Sequence, residues 1–432
     1  MKTTTRTAIG ITLIVLIGLT SWALAGTLKE QKYINLGEAE CQKGNYEAAI
    51  ALFSAGIDLN PDNHYLYNDR GLSYLEKGDK DEAISDFSKA IELKPDFAEA
   101  YYNRGLAYFK QGRGAGYLPN AISDFTKAIE LKSDYAVEAY YNRGLTYNSH
   151  YNRGSNYDKD DTTDYHAKAV ADFDTALALD PTYVLAYAGK GNAAYRNKEY
   201  AKAVEYFTKA LESENQIIQK AGNKGLAGVY ASKARALKAA EDYDKSIADY
   251  NKALALDPEL GTALGHQASN YLIVGEYYKA IELYDTTIEL YKNDPTYKHM
   301  YSKYQGKGDC YYNLGEYDKA IGMYDKAIEE CAKNYPSRAY RIYAGIGNVH
   351  LALEEYDKAM ENYNKVIELA EKEDSYVANA YKGLGTAYKE LGEKAKAREA
   401  LEKAKALYEE YGEEGHGKSE NIEEIQKLLS EL

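Results

Sequence analysis

Acidic side chains are concentrated in one polar stretch of the sequence, residues 156–166, which reads NYDKDDTTDYH. Asp158, Asp160, Asp161 and Asp164 supply the carboxylate oxygens that Ca²⁺ prefers as ligands. The stretch nevertheless lacks the glycine at loop position six and the glutamate at position twelve that an EF-hand loop uses. An exposed acidic loop is therefore the simpler interpretation, and a weak calcium site is the alternative.

Short polar side chains recur at one position of a pattern that repeats along the chain, namely Asn35, Asp69, Asn103 and Asn142. Side chains of this kind can hydrogen-bond the backbone of an extended peptide whatever its sequence. The alternative is that asparagine is simply part of the usual composition of the repeat. The adjacent aromatics Tyr102 and Tyr141 are either partner anchors or packing residues. Later in the chain Gly306, Gly345 and Gly383 take this place, which favours a close backbone approach or an empty wall.

The sequence carries no pattern of residues typical of an enzyme. A nucleophile motif, a phosphate-binding loop, a CxxC pair and a His-x-x-x-His pair are all missing, and the 7 histidines are scattered. Cys41, Cys310 and Cys331 are too few for a disulfide framework and are interpreted as small apolar residues. We therefore expect a protein that is not an enzyme and that needs no cofactor.

Pairs of helices must position these polar residues. Within residues 64–97, bulky and small side chains alternate at helical spacing, first at Tyr67, Gly71 and Tyr74 and then at Ala83, Phe87 and Ala90. Because Gly71 has no Cβ, the two helices can approach closely while the aromatic rings fill the flanking space. Gly78 is predicted to end the first helix, and Asp79 with Glu82 to form a capping box on the second.

A single helix pair of this size is too small to be stable alone, so copies must stack on each other. The order of residues in 64–97, which closes with Pro95, resembles the tetratricopeptide repeat, although Arg70 stands where the family usually has leucine. Similar patterns return about ten times between residues 30 and 411. The resemblance implies an all-α fold, a right-handed superhelical solenoid of about ten helix hairpins with a concave groove.

The pattern divides the chain into four parts. Residues 1–25 combine Lys2 and Arg6 with an apolar run and the triplet Ala23, Leu24 and Ala25, which is typical of a secretory signal peptide. An uncleaved membrane anchor is the alternative, and either one places the repeats outside the cytoplasm. We assign repeats one to five to residues 26–217 and repeats six to ten, with longer helices, to residues 218–411. Residues 412–432 are predicted to form a C-terminal capping helix.

The net charge narrows the possible partners. With 53 basic and 67 acidic residues the formal charge is 53 − 67 = −14, and no basic run interrupts the sequence. Such a chain gains little from releasing counterions, so nucleic acid is not expected as a partner. Contact with a membrane is expected only through an uncleaved N-terminal segment.

These features predict a non-enzymatic scaffold that binds a protein or an extended peptide in its concave groove. In the chaperone-binding members of the family that the chain resembles, lysine and arginine clamp a partner's carboxylate. Glu99 and Glu138 stand where such positive charge would be needed, so a neutral or basic peptide is favoured. The alternative is a structural or assembly component of the cell envelope that self-associates, and the oligomeric state is left open.

Overall fold

The computed structural model describes residues 29–112, 116–131, 134–151, 164–370, 374–411 and 416–432. The N-terminal segment 1–25 and the candidate calcium ligands Asp158, Asp160 and Asp161 lie outside these ranges. The fourth candidate, Asp164, precedes a helix, and its side chain accepts a hydrogen bond of 2.9 Å from the backbone N–H of Ala167. Asp164 is thus a helix cap.

The chain forms two units, residues 1–220 and 221–432. The first unit contains α1 (29–42), α2 (Tyr46–Leu59), α3 (His64–Lys77), α4 (Lys80–Leu93), α5 (Ala98–Gln111), α6 (Tyr117–Glu130), α7 (Ala136–Tyr151), α8 (Tyr165–Leu179), α9 (Leu185–Arg196) and α10 (Tyr200–Leu211). Helix α11 (Glu214–Ala239) begins near the division and is interrupted at Gly222, whose φ of 66° is not helical.

The second unit continues from α11 with helices of more variable length. They are α12 (Tyr243–Leu256), α13 (Gly261–Ile273), α14 (Tyr277–Tyr291), α15 (Met300–Asn313), α16 (Tyr317–Asn334), a 3₁₀ turn (Pro336–Arg338), α17 (Tyr340–Ala352), α18 (Tyr356–Leu369), α19 (Ser375–Glu390), α20 (Lys394–Tyr411) and α21 (His416–Ser430). All regular elements in the described part of the chain are helical, and sequential helices pack as pairs. The predicted all-α fold of repeated hairpins is therefore confirmed.

The close approach of the two helices in a hairpin depends on a glycine facing an aromatic ring. A Cβ built on Gly71 of α3 would lie 2.8 Å from Cε1 of Phe87 on α4. Gly105 on α5 faces Phe125 on α6 in the same way, at 2.9 Å. Both rings are completely buried, so a larger residue at either glycine would displace the core.

The predicted capping box at the start of α4 is wrong. Asp79 is the N-cap residue, but its side chain makes no capping hydrogen bond. Its carboxylate instead pairs with Nζ of Lys77, at 2.9 Å. The lysine comes from the last turn of α3, so the charge pair forms across the short turn that Gly78 makes with a φ of 103°.

The later repeats were predicted to have longer helices. In the structure their additional residues lie partly in helices and partly in the connections between helices. Helices α16 and α20 have 18 residues each, whereas α18 has 14. Residues 292–299 connect α14 to α15 and so absorb part of the added length. At the end of the chain, Ile425 of α21 is fully buried against Leu401 and Leu407 of α20. The cysteines Cys41, Cys310 and Cys331 are free thiols.

Candidate functional site

A hydrogen-bonded polar network links the first helices of two successive hairpins, α3 and α5. Asn103 is only 5% exposed, and its Nδ2 donates to Oδ1 of Asn68 at 2.9 Å. Nδ2 of Asn68 in turn donates to Glu99 at 3.2 Å and to Asp69 at 3.4 Å. The structure thus places two of the predicted residues, Asn103 and Asp69, in one network, which is joined by Asn68, a residue that the sequence did not single out.

Asn142 on α7 connects the wall formed by the first helices α3 and α5 to the next hairpin. Its Nδ2 donates to the hydroxyl of Tyr102 at 3.1 Å and to the backbone oxygen of Glu138 at 2.9 Å. The ring of Tyr102 is 9% exposed and stacks on Tyr135, with 5.2 Å between centroids and 6° between planes. The side-chain amide of Asn142 thus donates both of its hydrogens within the protein. Its side-chain oxygen is the group suited to accept a hydrogen bond from a bound peptide.

The remaining predicted residues take different places. Asn35 on α1 is exposed, and its Oδ1 accepts a bond of 2.9 Å from Gln31. The ring of Tyr141 lies 5.3 Å from that of Tyr183, and burial raises the pKa of Tyr141 to about 12. Tyr141 thus contacts a ring of the following segment, and whether it also anchors a partner stays a prediction. Tyr135, which the sequence reasoning missed, is 40% exposed.

A pocket of about 420 Å³ opens between α1 and α3. Three carboxylates line it, those of Glu38, Asp69 and Glu76. Sγ of Cys41 lies 3.2 Å from Oγ of Ser73 in the same lining. The lining of the pocket therefore includes three acidic side chains and the small polar groups of Cys41 and Ser73.

The pKa of Asp69 shows how the pocket affects a carboxyl group. Burial raises the pKa of this carboxyl to about 7, the charges of Glu99 and Glu38 add to the rise, and the hydrogen bond from Asn68 opposes it. A carboxyl group in this condition gains most from a positive charge placed beside it. The wall formed by α1, α3 and α5 is thus suited to a cationic group.

A second polar system is formed by arginine and aspartate side chains. The sequence analysis noted only one of its members, Arg70, as a departure from the leucine that is usual in the repeat. Each arginine forms two charge-assisted hydrogen bonds with an aspartate of its own hairpin, in the pairs Arg70 with Asp86, Arg104 with Asp124 and Arg143 with Asp172. Each arginine also donates to a hydroxyl on the preceding hairpin, on Ser54, Ser88 or Thr126 respectively. The sequence contains a signal for these pairs, because each of these arginines directly precedes the packing glycine and each of these aspartates directly precedes the packing phenylalanine.

Metal-binding groups and membrane-spanning helices are absent from the part of the chain that the structure describes. Within those ranges no three His, Cys, Asp or Glu side chains are grouped so that they could hold a metal ion. Among the helices of the same ranges, none combines the length and apolar character needed to cross a bilayer.

Family models described as TPR repeat or tetratricopeptide repeat match most of the sequence. The matched segments are residues 37–78, 71–112, 98–135, 165–216, 227–260, 300–372 and 338–410. Together they span more than half of the chain and include the first helices that carry Asp69 and Asn103.

Similar proteins share part of this repeat region. The Hsp70-Hsp90 organizing protein of Triticum aestivum is 29% identical over 126 residues, which are 28% of this chain and 21% of that protein. The mitochondrial import receptor subunit TOM70 of Mus musculus is 32% identical over 124 residues, 28% of this chain and 20% of the relative. The chain therefore spans about a fifth of the length of these relatives.

Solved structures of repeat proteins also align with the chain. A tetratricopeptide repeat protein from Parabacteroides merdae aligns with a TM-score of 0.49 and 18% identity, over 68% of this chain and 99% of the other.

Proposed function

We propose, given that the chain belongs to the tetratricopeptide repeat family, that it is a protein-binding scaffold. In this proposal an extended polypeptide segment lies along the first helices of the N-terminal unit, α1, α3, α5 and α7. Lysine or arginine side chains of the segment enter the acidic pocket between α1 and α3. No catalytic step, cofactor or resident metal is part of the proposal.

The charge of the pocket is the observation that carries this function. Glu38, Asp69 and Glu76 line it, and the pKa of Asp69 is raised to about 7 because burial and the neighbouring carboxylates disfavour its charge. An entering ammonium or guanidinium group would offset that repulsion and form charge-assisted hydrogen bonds. An acidic segment would meet the same repulsion and is therefore excluded as a partner of this wall.

The polar groups beside the pocket suit an extended backbone. The side-chain oxygen of Asn142 is placed to accept a backbone N–H, and the exposed ring of Tyr135 offers an apolar surface to a guest side chain. Hydrogen bonds to the backbone add affinity without requiring a particular sequence, whereas the acidic pocket selects for charge. The names of the relatives, an organizer of Hsp70 and Hsp90 and an import receptor subunit, support a protein partner.

Binding of charged peptides to the whole chain tests the proposal. Fluorescently labelled peptides that alternate lysine with glycine, or glutamate with glycine, are titrated with the protein and followed by anisotropy. The lysine peptide should bind, and Asp69→Asn with Glu99→Gln should weaken it by about tenfold, the effect of one charge-assisted bond. Asn142→Ala should weaken it further, because the contact with the peptide backbone is lost.

Glu92→Gln is the matched control, because Glu92 is an exposed carboxylate on α4, away from the pocket, whose side chain is 70% exposed. It removes one negative charge from the same unit and should leave the affinity unchanged. Binding of the lysine peptide that Asp69→Asn with Glu99→Gln weakens no more than Glu92→Gln does would contradict a specific acidic groove.

A further inference from the structure

Two tyrosine rings lie flat against each other where α14 ends and its connection to α15 begins. The ring centroids of Tyr291 and Tyr297 are 4.1 Å apart, and the ring planes are within 6° of parallel. Aromatic pairs in proteins usually keep about 4.5–7 Å between their centroids. The next shortest separation between tyrosine rings in the described ranges is 5.2 Å, for Tyr102 and Tyr135. The pair at the end of α14 is therefore unusually close.

The backbone of the connection brings these two rings together. The N–H of Asp294 donates to the backbone oxygen of Tyr291 at 3.0 Å, and the N–H of Tyr297 donates to the backbone oxygen of Asp294 at 3.1 Å. The carboxylate of Asp294 also accepts bonds from the backbone N–H and the hydroxyl of Thr296, at 2.8 Å and 2.6 Å. The stacking is therefore fixed by a hydrogen-bonded turn.

The surroundings hold both rings in place and leave them within reach of solvent. The ring of Tyr291 lies against Gly261, the first residue of α13, where an added Cβ would overlap Cε2 and the hydroxyl oxygen. The imidazole of His299 stands nearly perpendicular to the ring of Tyr297, with 6.4 Å between centroids. Neither tyrosine is fully buried, so a small oxidant in solution can reach the pair.

Oxidation of two phenols in contact joins them through carbon. A one-electron oxidant converts each phenol into a tyrosyl radical and releases a proton. The two radicals form a bond between ring carbons ortho to their hydroxyl groups, and the hydrogens of those carbons move to the oxygens, which restores both phenols. Hydrogen peroxide acting through a haem peroxidase takes up the two electrons and two protons and becomes two molecules of water.

The state of Tyr297 fits this chemistry. Burial raises the pKa of Tyr297 to about 12, and the neighbouring Tyr291 adds to the rise. The phenol is therefore neutral at pH 7 and loses its proton when it loses an electron. Because the ring planes are nearly parallel, a ring carbon of one tyrosine faces one of the other at about the centroid distance, so coupling needs little movement.

We propose that Tyr291 and Tyr297 are a site of oxidative cross-linking, at which a peroxidase-type oxidant joins the two rings as dityrosine. Rings already in contact react as one unit, an advantage that tyrosines of two separate molecules lack. The bond ties the end of α14 to the residues that precede α15, and it restricts the unfolded chain as a disulfide does. The site is independent of the acidic wall in the first unit.

Peptide mapping after oxidation tests this site on the full chain. The protein is treated with hydrogen peroxide and a haem peroxidase and is then digested with trypsin, which cuts after Lys279, Lys292 and Lys298. The two tyrosines fall on different peptides, residues 280–292 and 293–298. These peptides should be recovered as one joined species, with the sum of their masses less two hydrogen atoms.

Phenylalanine variants assign the bond and control for folding. Tyr291→Phe and Tyr297→Phe should each abolish the joined species, although phenylalanine keeps the ring and its stacking. Tyr284→Phe should leave it, since Tyr284 lies on the same longer peptide but is only 4% exposed. Tyr278→Phe is the matched control on α14, because Tyr278 is 70% exposed and has no part in the stacked pair. Persistence of the joined species in Tyr291→Phe would overturn the proposal.

A mixture of unlabelled and isotope-labelled protein separates links within one chain from links between chains. The joined species should contain two peptides of the same label, and its yield should not change when the protein is diluted tenfold. Joined peptides of mixed label, or no joined species at all, would contradict a preformed pair. Earlier formation of a link between Tyr102 and Tyr135, whose rings are further apart, would contradict the role of the close stacking.

Discussion

The phenol ring of Tyr363 on α18 lies against Gly383 on α19, the first helix of the next hairpin. A Cβ built on Gly383 would lie 2.3 Å from Cζ of that ring. Tyr363 is 1% exposed, and its hydroxyl donates to Oδ1 of Asn348 at 2.8 Å, so the ring is fixed. Gly345 faces Tyr324 in the same way, at 2.7 Å. The glycines of the later repeats are therefore approached by a buried tyrosine ring, whereas the sequence suggested a close backbone approach or an empty wall.

Replacing Gly383 by alanine should destabilise the second unit. The added methyl group overlaps a ring that is held by packing and by a hydrogen bond, so we expect a loss of about 1–3 kcal/mol in the free energy of unfolding. Urea denaturation followed by circular dichroism measures it.

Gly322→Ala is the control for Gly383→Ala. Gly322 lies on α16, and a Cβ there would meet no atom within 4 Å. Its replacement should stabilise the protein by about 1 kcal/mol, because alanine is the better helix former. If the two substitutions shift stability in the same direction, the close contact of Tyr363 with Gly383 is not what requires glycine.

Arg104→Ala should be strongly destabilising. It leaves the carboxylate of Asp124, whose side chain is 6% exposed, without the two hydrogen bonds of 2.8 Å that it accepts from the guanidinium group. Removing one partner of such a pair costs about 3–5 kcal/mol. The apolar double variant Arg104→Met with Asp124→Leu should recover much of that loss, since no buried charge remains.

Lys89→Ala serves as the control for the arginine pairs. Lys89 forms an ion pair with Glu92 on the surface, with side-chain exposures of 39% and 70%. Exposed pairs contribute about 0–1 kcal/mol, so this variant should unfold close to the native protein. A loss for Arg104→Ala no larger than that for Lys89→Ala would mean that the buried pair does not hold the hairpins together.

The hairpins were predictable from the sequence because their determinants are local. Gly71 and Phe87 belong to one short stretch, and their sizes alone indicate a close approach of two helices. The pairing of Arg70 with Asp86 on the facing helix does not follow from the repeat pattern, because that pattern usually has leucine at the position of the arginine. The capping box failed for a similar reason, since Lys77 competes for the carboxylate of Asp79.

The candidate site was predictable by position and not by bonding. The sequence placed Asp69, Asn103 and Asn142 at one point of the repeat, and each lies on the first helix of its hairpin. Which groups they meet depends on how successive hairpins are offset, so the bond from Asn103 to Asn68 could not be foreseen.

Cleavage of the N-terminal segment after Ala25 is expected on secretion, since residues 23–25 provide the small-residue site that follows the apolar run. Mass spectrometry of the protein from its native source should then find Gly26 at the N-terminus. A full-length chain in the membrane fraction would indicate the anchor instead, and a full-length chain in the cytoplasm would contradict export.

The acidic pocket should make the stability of the first unit depend on pH through Asp69. Burial and neighbouring carboxylates raise the pKa of Asp69 from 3.8 to about 7, so between these values the unfolded chain loses a proton that the folded chain keeps. Stability therefore falls as pH rises through this window and is lowest above pH 7. Asp69→Asn removes the titration, so the variant should gain on the native protein from pH 4 to pH 7. The gain is on the order of 2 kcal/mol, less than the full shift implies, because the side chain is partly exposed.

Glu205→Gln provides a contrast of opposite sign in the same experiment. The hydrogen bond from Lys209 lowers the pKa of Glu205, so its contribution is present at neutral pH and is lost as pH falls. The native protein should thus gain on this variant as pH rises to 4.5, whereas it loses ground to Asp69→Asn between pH 4 and pH 7. A flat difference between the native protein and Asp69→Asn from pH 4 to pH 7 would mean that Asp69 ionises normally. The pocket would then lack the unrelieved negative charge on which selection of a basic guest depends.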